Sequence, residues 1–279
     1  MEYSNNRLPG AAWCQQSMER MMAIDVDIND GIAVVTFNRP EAMNAIDPET
    51  REKLYRIWDQ LREDEGVQVV IVTGAGGRAF STGADLKKTA PPTESFAELL
   101  FMHDNPGTFL HGFGMDKPII AAVNGYALGG GMELALACDI CIASERARFG
   151  ITEACVGSVP GSGGVQRLPR SISKTNAMLM ILTGDVIDAH EALRMGFVSK
   201  VVPHEELMSV VRAIADQIKR NAPISVRALK RSIQMGLDMP LQHALEMDKY
   251  VYGLLRDTED RIEGRKAFQE KRTPKYRGK

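Results

Sequence analysis

Apolar and polar positions along the chain fall into two regimes. Up to about residue 203, short β-rich runs alternate with helical periods, and beyond it only the helical period persists. Residues 22–28 and 32–37 are β-rich, and Asn29-Asp30-Gly31 between them is a hairpin signal. Asp47 followed by Pro48 supplies an N-cap and a first-turn proline. The helix they open is predicted to run to about Glu65, with Leu54, Ile57, Trp58 and Leu61 on one face. Residues 67–73, V-Q-V-V-I-V-T, read as a buried strand and lead into the glycine-rich loop G-A-G-G-R-A-F-S-T-G-A-D-L. Residues 94–114 are predicted helical, although rich in phenylalanine, and 119–123 as a strand. Glycine turns at 125 and 129–131 precede a short helix and a strand at 139–144. Residues 185–195 read as helix and 198–202 as a strand. From Glu205 onward, Leu207, Val210, Val211, Ile214 and Ile218 recur at helical spacing, and Pro223 and Pro240 divide the region into separate helices.

Strands and helices in alternation, then helices alone, predict an α/β core with a helical C-terminal part. The boundaries fall at 1–21, a polar extension without period that carries a Pro-Gly pair; at 22–203, the α/β core; and at 204–279, the helical region. The 279 residues suffice for one large domain or two small ones. No period repeats well enough to predict a solenoid.

Composition narrows the function classes. With 44% hydrophobic and 25% charged residues the chain is near the globular average, which excludes disorder and coiled coil. A net charge of −2 gives no global drive toward nucleic acid, although residues 204–279 carry 16 basic against 11 acidic side chains. The apolar stretch 118–143 is long enough to cross a bilayer, but Asn124, Glu133, Asp139 and its glycines argue against a membrane helix. No basic start followed by an apolar segment marks a signal peptide, and a cytoplasmic location is expected. Cys14, Cys138, Cys141 and Cys155 are too few and irregular for a disulfide framework, which suits a reducing compartment. Cys138 and Cys141 form a C-x-x-C inside an apolar run and read as buried small hydrophobes. No second pair or spaced histidine accompanies them, so no metal is expected.

Two segments concentrate the candidate chemistry. In G-Y-A-L-G-G-G-M-E-L-A-L-A (125–137), three glycines precede a helix, leaving free N–H groups at its positive end. Such a terminus can hold an anion or a developing oxyanion. Neither the phosphate-loop pattern nor G-x-G-x-x-G is matched. Glu133 is the one charge in this stretch; by itself it reads equally as a surface glutamate, half of an ion pair or a catalytic acid. Glu153 stands likewise among small and apolar residues at 149–164, where a helix first-turn glutamate is the plain alternative. Two isolated glutamates near glycine-built turns make a better case, because a carboxylate pair can handle both proton transfers of an acid–base reaction.

Four blocks together resemble the enoyl-CoA hydratase/isomerase, or crotonase, family: N-R-P-E-A-M-N-A-I at 38–46, A-F-S-T-G-A-D-L-K at 79–87, N-G-Y-A-L-G-G-G-M-E-L-A at 124–135, and G-S-V-P-G-S-G-G-V-Q-R-L at 157–168. The resemblance runs from about Ile24 to the C-terminus. It implies a core of repeated ββα turns in a superhelix, with C-terminal helices used in trimerisation and a homotrimer or dimer of trimers as the assembly. It implies an acyl-CoA thioester as substrate, with no nucleic acid or membrane partner. No cofactor is implied beyond the coenzyme A that is part of the substrate. By motif position the N–H groups of Ala84 and Gly130 would form the oxyanion hole, Glu133 would activate the water that attacks Cβ, and Glu153 would protonate Cα. Family hydratases usually keep both glutamates, so hydration of a 2-enoyl-CoA, as in fatty acid metabolism, is the expected activity. Dehydration of a functionalised hydroxyacyl-CoA, as by carnitinyl-CoA dehydratase, and Δ3,Δ2-enoyl-CoA isomerisation are the alternatives. Thr152 departs from the proline that many hydratases place before the second glutamate. CoA contacts carry over to Ala42, Met43 and Ala45, to Ala84, Asp85, Leu86 and Lys87, to Gly130, and to Phe268 and Lys271, the last two often facing a neighbouring subunit. The acyl pocket corresponds to 89–116, where Phe96, Phe101, Phe109, Phe113 and Met102 suit an apolar or bulky group or simply form core.

Overall fold

The structure, a computed structural model, describes residues 23–88 and 108–279. The expectations for 1–21, Cys14, Phe96, Phe101 and Met102 lie outside the described residues.

Strands β1 (Ile24–Asn29) and β2 (Ile32–Phe37) form an antiparallel hairpin in register from Ile24↔Phe37 to Asn29↔Ile32. Beside β2 lie β3 (Val69–Gly74), β5 (Ile119–Val123), β7 (Ile140–Ser144) and β10 (Lys200–Val202), all parallel, in the order β1-β2-β3-β5-β7-β10. These strands read as unbroken apolar runs because both faces are covered. Val70 and Val72 of β3 face a cluster with Phe37, Leu54, Trp58, Phe80, Met132 and Phe149. Val69 and Ile71 face the opposite way, against Leu207, Val211 and Ala215 of the helix α6 (Leu207–Lys219).

A second sheet escapes the sequence pattern. Strands β4 (Ala79–Ser81), β6 (Tyr126–Leu128), β8 (Arg148–Gly150) and β9 (Ile187–Asp188) form it in that order, with only β8–β9 antiparallel. At two or three residues each they are too short to show a period of two. Strand β4 corrects the reading of 74–86 as loop, β6 falls between the turns expected at 125 and 129–131, and β9 takes the start of the helix expected at 185–195. The remainder of that helix is α5 (Ala189–Met195). Of the helix expected at 94–114, the described residues 108–114 make turns and bends instead.

Each main-sheet strand β3, β5 and β7 is followed by a short strand of the second sheet, and β5–β6 continues into helix α2 (Gly130–Ala137). The fold is thus a mixed α/β core of ββα turns, as the resemblance implies. Helix α1 (Pro48–Glu63) opens as expected, with Asp47 accepting from the Thr50 N–H at 2.9 Å. Helices α3 (Gly164–Ser171) and α4 (Lys174–Thr183) follow the second glutamate. The C-terminal helices α7 (Pro223–Gly236) and α8 (Leu241–Leu255) start at the predicted prolines, whereas α9 (Glu259–Glu270) starts at a Thr258 cap that was not predicted. No residue of α7 or α8 is buried, and Leu229, Ile233, Leu237, Leu241 and Leu254 are all exposed. No helix among the described residues is long and apolar enough to cross a membrane. Cys138, Cys141 and Cys155 are free thiols, and burial pushes the Cys141 thiol up to about 12, as suits a packed small hydrophobe.

Candidate active site

The sheets deliver two backbone segments to one point. Beyond β4 the chain is held to Ile46 by two hydrogen bonds, Ile46 N–H to Gly83 O at 2.7 Å and Asp85 N–H to Ile46 O at 3.0 Å. Ala84 lies between them, bridged to Ile46, and its own N–H has no partner among the described residues. From the other side, Gly129 donates to Gly150 O at 2.9 Å and turns the chain into α2, so that Gly130 opens the helix with an unsatisfied N–H. The two segments touch: a β-carbon built on Gly83 would stand 2.5 Å from the Gly130 nitrogen. Two amides without a partner among the described residues, one at a helix N-terminus, are therefore carried on segments in backbone contact, and paired backbone donors are what an oxyanion hole is built from.

Glu133 lies on the first turn of α2 and is 2% exposed. Its Oε1 accepts from the N–H groups of Ser162, at 2.7 Å, and Gly164, at 2.8 Å, in the turn that starts α3. A backbone N–H can only donate, so Oε1 is fixed as an acceptor, while Oε2 makes no hydrogen bond among the described residues. Glu153 begins the 3₁₀ turn Glu153–Val156. Its Oε1 packs against Gly129, 2.9 Å from where a β-carbon would stand, and its Oε2 is buried without a hydrogen-bond partner among the described residues. Burial pushes the Glu153 carboxyl above its ordinary pKa and the nearby Glu133 charge adds to this, while backbone donors of residues 152 and 153 partly offset both. The two glutamates thus differ in environment: one is clamped as an acceptor, the other is biased to hold a proton. That pairing suits a base and an acid on one substrate.

The loop before α1 is built on the same edge. Met43 and Asn44 are left-handed, with φ of 55° and 56°. Asn44, 1% exposed, donates to Ala75 O and Ala79 O at 3.1 and 2.7 Å and accepts from Arg39 N–H at 3.0 Å. Arg39 reaches Ala45 O at 2.7 Å, Asp85 at 2.9 Å and Asp47 at 3.3 Å. Burial works against a charge on Asp47, but Lys88, Thr50 and Arg39 together hold its carboxyl well below the usual range. Arg39 and Asp47 therefore bring Ala42, Met43 and Ala45 beside Asp85, Leu86 and Lys87. Arg39 and Asn44 stand in the 38–46 block without an assigned role; their partners Asp85, Ala75 and Ala79 lie far along the chain, so no local signal marked them.

A profile described as Enoyl-CoA hydratase/isomerase matches residues 27–279. The chain belongs to that family. It is 49% identical over 257 residues to (E)-benzylidenesuccinyl-CoA hydratase of Thauera aromatica, covering 92% of this chain and 100% of that one. It is 41% identical over 261 residues to carnitinyl-CoA dehydratase of Shigella flexneri, covering 90% and 97%. The solved enoyl-CoA hydratase of Bacillus anthracis superposes with a TM-score of 0.86 at 40% identity, covering 92% of this chain and 100% of that one.

Two positions expected to reach CoA in this enoyl-CoA hydratase/isomerase family member stand apart within the single chain. Phe268 on α9 is 86% exposed, and Lys271 is the left-handed C-cap of that helix. No hydrogen bond or ring contact among the described residues links either to Glu133 or Glu153. Of the expected acyl wall, Phe109 and Phe113 are described and both are buried. Phe113 stacks edge-on against Trp58 at 4.9 Å, as core. The Phe109 ring instead reaches the oxyanion segment, 3.2 Å from where a β-carbon on Gly130 would stand.

Proposed function

We propose that the chain adds water across the 2,3 double bond of a 2-enoyl-CoA thioester by two-glutamate acid–base catalysis. The observation that carries this is the buried Glu153 oxygen without a partner among the described residues, beside a Glu133 clamped at Oε1 and two amides likewise without a partner there. The thioester oxygen accepts from the Ala84 and Gly130 N–H groups. Water bound at Glu133 Oε2 gives up a proton to that oxygen as its own oxygen bonds to Cβ. The double-bond electron pair moves into the thioester as an enolate, held by the two amides. Glu153 then delivers its proton to Cα and the enolate collapses. Glu133 then carries the proton that Glu153 has lost, and one proton passed between the two carboxyls, directly or through solvent, restores both; these steps call for neither a metal nor a redox cofactor.

Run backwards, the same steps dehydrate a 3-hydroxyacyl-CoA, and the likeness to carnitinyl-CoA dehydratase supports that direction as the second reading. An isomerase would need only one of the two acids. An aromatic or otherwise bulky acyl group is favoured by the Phe109 ring beside Gly130 and by the likeness to a benzylidenesuccinyl-CoA hydratase. The exposed apolar residues of α7 and α8 support a homotrimer or dimer of trimers, in which Phe268 and Lys271 of one copy would approach the CoA of the next. A cytoplasmic location belongs to the same proposal. The test is a panel of short, long, branched and aromatic 2-enoyl-CoA esters followed at the thioester chromophore. Loss of the conjugated absorbance with water incorporated at Cβ is expected; double-bond migration without water incorporation would overturn the hydratase reading.

A further inference from the structure

Glu133 owes its orientation to two amides of the turn 162–164, and that turn is itself held by one side chain. Arg167, four residues into α3, folds back over the helix start. Its backbone N–H closes the first helical turn on Gly163 O at 2.8 Å, and its Nη1 donates to Ser162 O at 2.5 Å. The guanidinium lies against the Gly163 α-carbon, where a β-carbon would fall 2.2 Å from Nη1. Gly163 is left-handed at φ 98°, a conformation that favours glycine, and a side chain there would displace the guanidinium. Arg167 makes no ion pair among the described residues, and its side-chain hydrogen bond there is the one to Ser162. A half-buried cation without a carboxylate partner calls for a reason, and its place beside the Glu133 turn offers one.

We infer that Arg167 is a positioning residue for the water-activating step: by gripping Ser162 O it fixes the turn whose Ser162 and Gly164 amides clamp Glu133 Oε1, and so sets where Glu133 Oε2 meets water. This rests on the hydratase reading above. It separates the two halves of the reaction. Proton exchange at Cα needs Glu153 and the two oxyanion amides, whereas hydration also needs Glu133 in register.

The test compares wild type, Arg167→Met and Arg167→Lys in two assays: hydration of crotonyl-CoA, and exchange of the α-protons of butyryl-CoA in D2O. A small displacement of a catalytic group can lower the rate about 100-fold, so Arg167→Met is expected to lose roughly 10- to 100-fold in kcat for hydration. KM and the α-exchange rate are expected to stay within about threefold, since binding and enolisation bypass Glu133. Arg167→Lys retains a cationic donor for Ser162 O and is expected to fall between Arg167→Met and wild type, at least about threefold above the former. A hydrating wild type matched by Arg167→Met would overturn the inference alone. So would a parallel loss of hydration and exchange, or an Arg167→Lys no faster than Arg167→Met. A wild type that exchanges α-protons but hydrates no enoyl thioester would overturn the hydratase reading, and this role with it.

Discussion

Gly83 and Gly130 are packed backbone to backbone: a β-carbon on Gly83 would stand 2.5 Å from the Gly130 nitrogen and 3.0 Å from its α-carbon. Gly83 is also left-handed, at φ 77°. Gly83→Ala must therefore push the β4 segment away from α2 and part the two amides of the oxyanion hole. Losing one such donor typically lowers kcat by about 100- to 1,000-fold, and that loss is expected in steady-state hydration. Wild-type kcat in a folded Gly83→Ala protein would mean that the two amides do not act together.

Glu133→Gln and Glu153→Gln remove a proton acceptor and a proton donor without changing shape. Each is expected to lower kcat by roughly 100- to 10,000-fold, the usual range for a positioned acid or base. Thioester binding, read by calorimetry with a saturated acyl-CoA, should persist in both. Near-wild-type hydration by either variant would refute the two-carboxylate mechanism.

The raised pKa of Glu153 has a consequence for stability. The folded chain keeps a proton there above the ordinary value of 4.5, where the unfolded chain has released it. The native state then binds more protons, so its stability falls as pH rises through that window and stays lowered above it. Glu153→Gln lacks this penalty. Its Tm should exceed that of wild type at neutral pH, and the gap should close as pH is lowered below 4.5. A constant difference across the range would show that Glu153 titrates normally in the fold.

Arg39 joins three acceptors on separate segments, Ala45 O, Asp85 and Asp47. Arg39→Ala should loosen the 40–45 loop against 84–87 while leaving Glu133 and Glu153 in place. KM for a series of acyl-CoA esters is expected to rise with kcat less affected, the pattern of lost ground-state binding. Arg39→Lys should rescue poorly, because a single ammonium cannot copy the planar fork. An unchanged KM in Arg39→Ala would dissociate this loop from CoA binding.

The periodicities at 32–37, 67–73 and 119–123, and the Asp47-Pro48 start signal, determined the main sheet and α1, since those elements bury enough apolar surface to mark their own sequence. Glu133 and Glu153 were legible as lone charges in apolar surroundings. The second sheet was not, because β4, β6, β8 and β9 are too short for any period and take their pairing from the strands beside them. The tertiary structure alone decided how the surroundings of the two glutamates differ. That one glutamate is clamped by Ser162 and Gly164 and that Gly83 meets Gly130 are contacts between segments far apart in the chain, and the buried oxygen of the other glutamate lacks a partner among the described residues. Residue type supplies the carboxyls and the glycines; hydrogen-bond partners and burial, which exist only once the sheets have met, make one carboxyl a fixed acceptor and the other a proton holder.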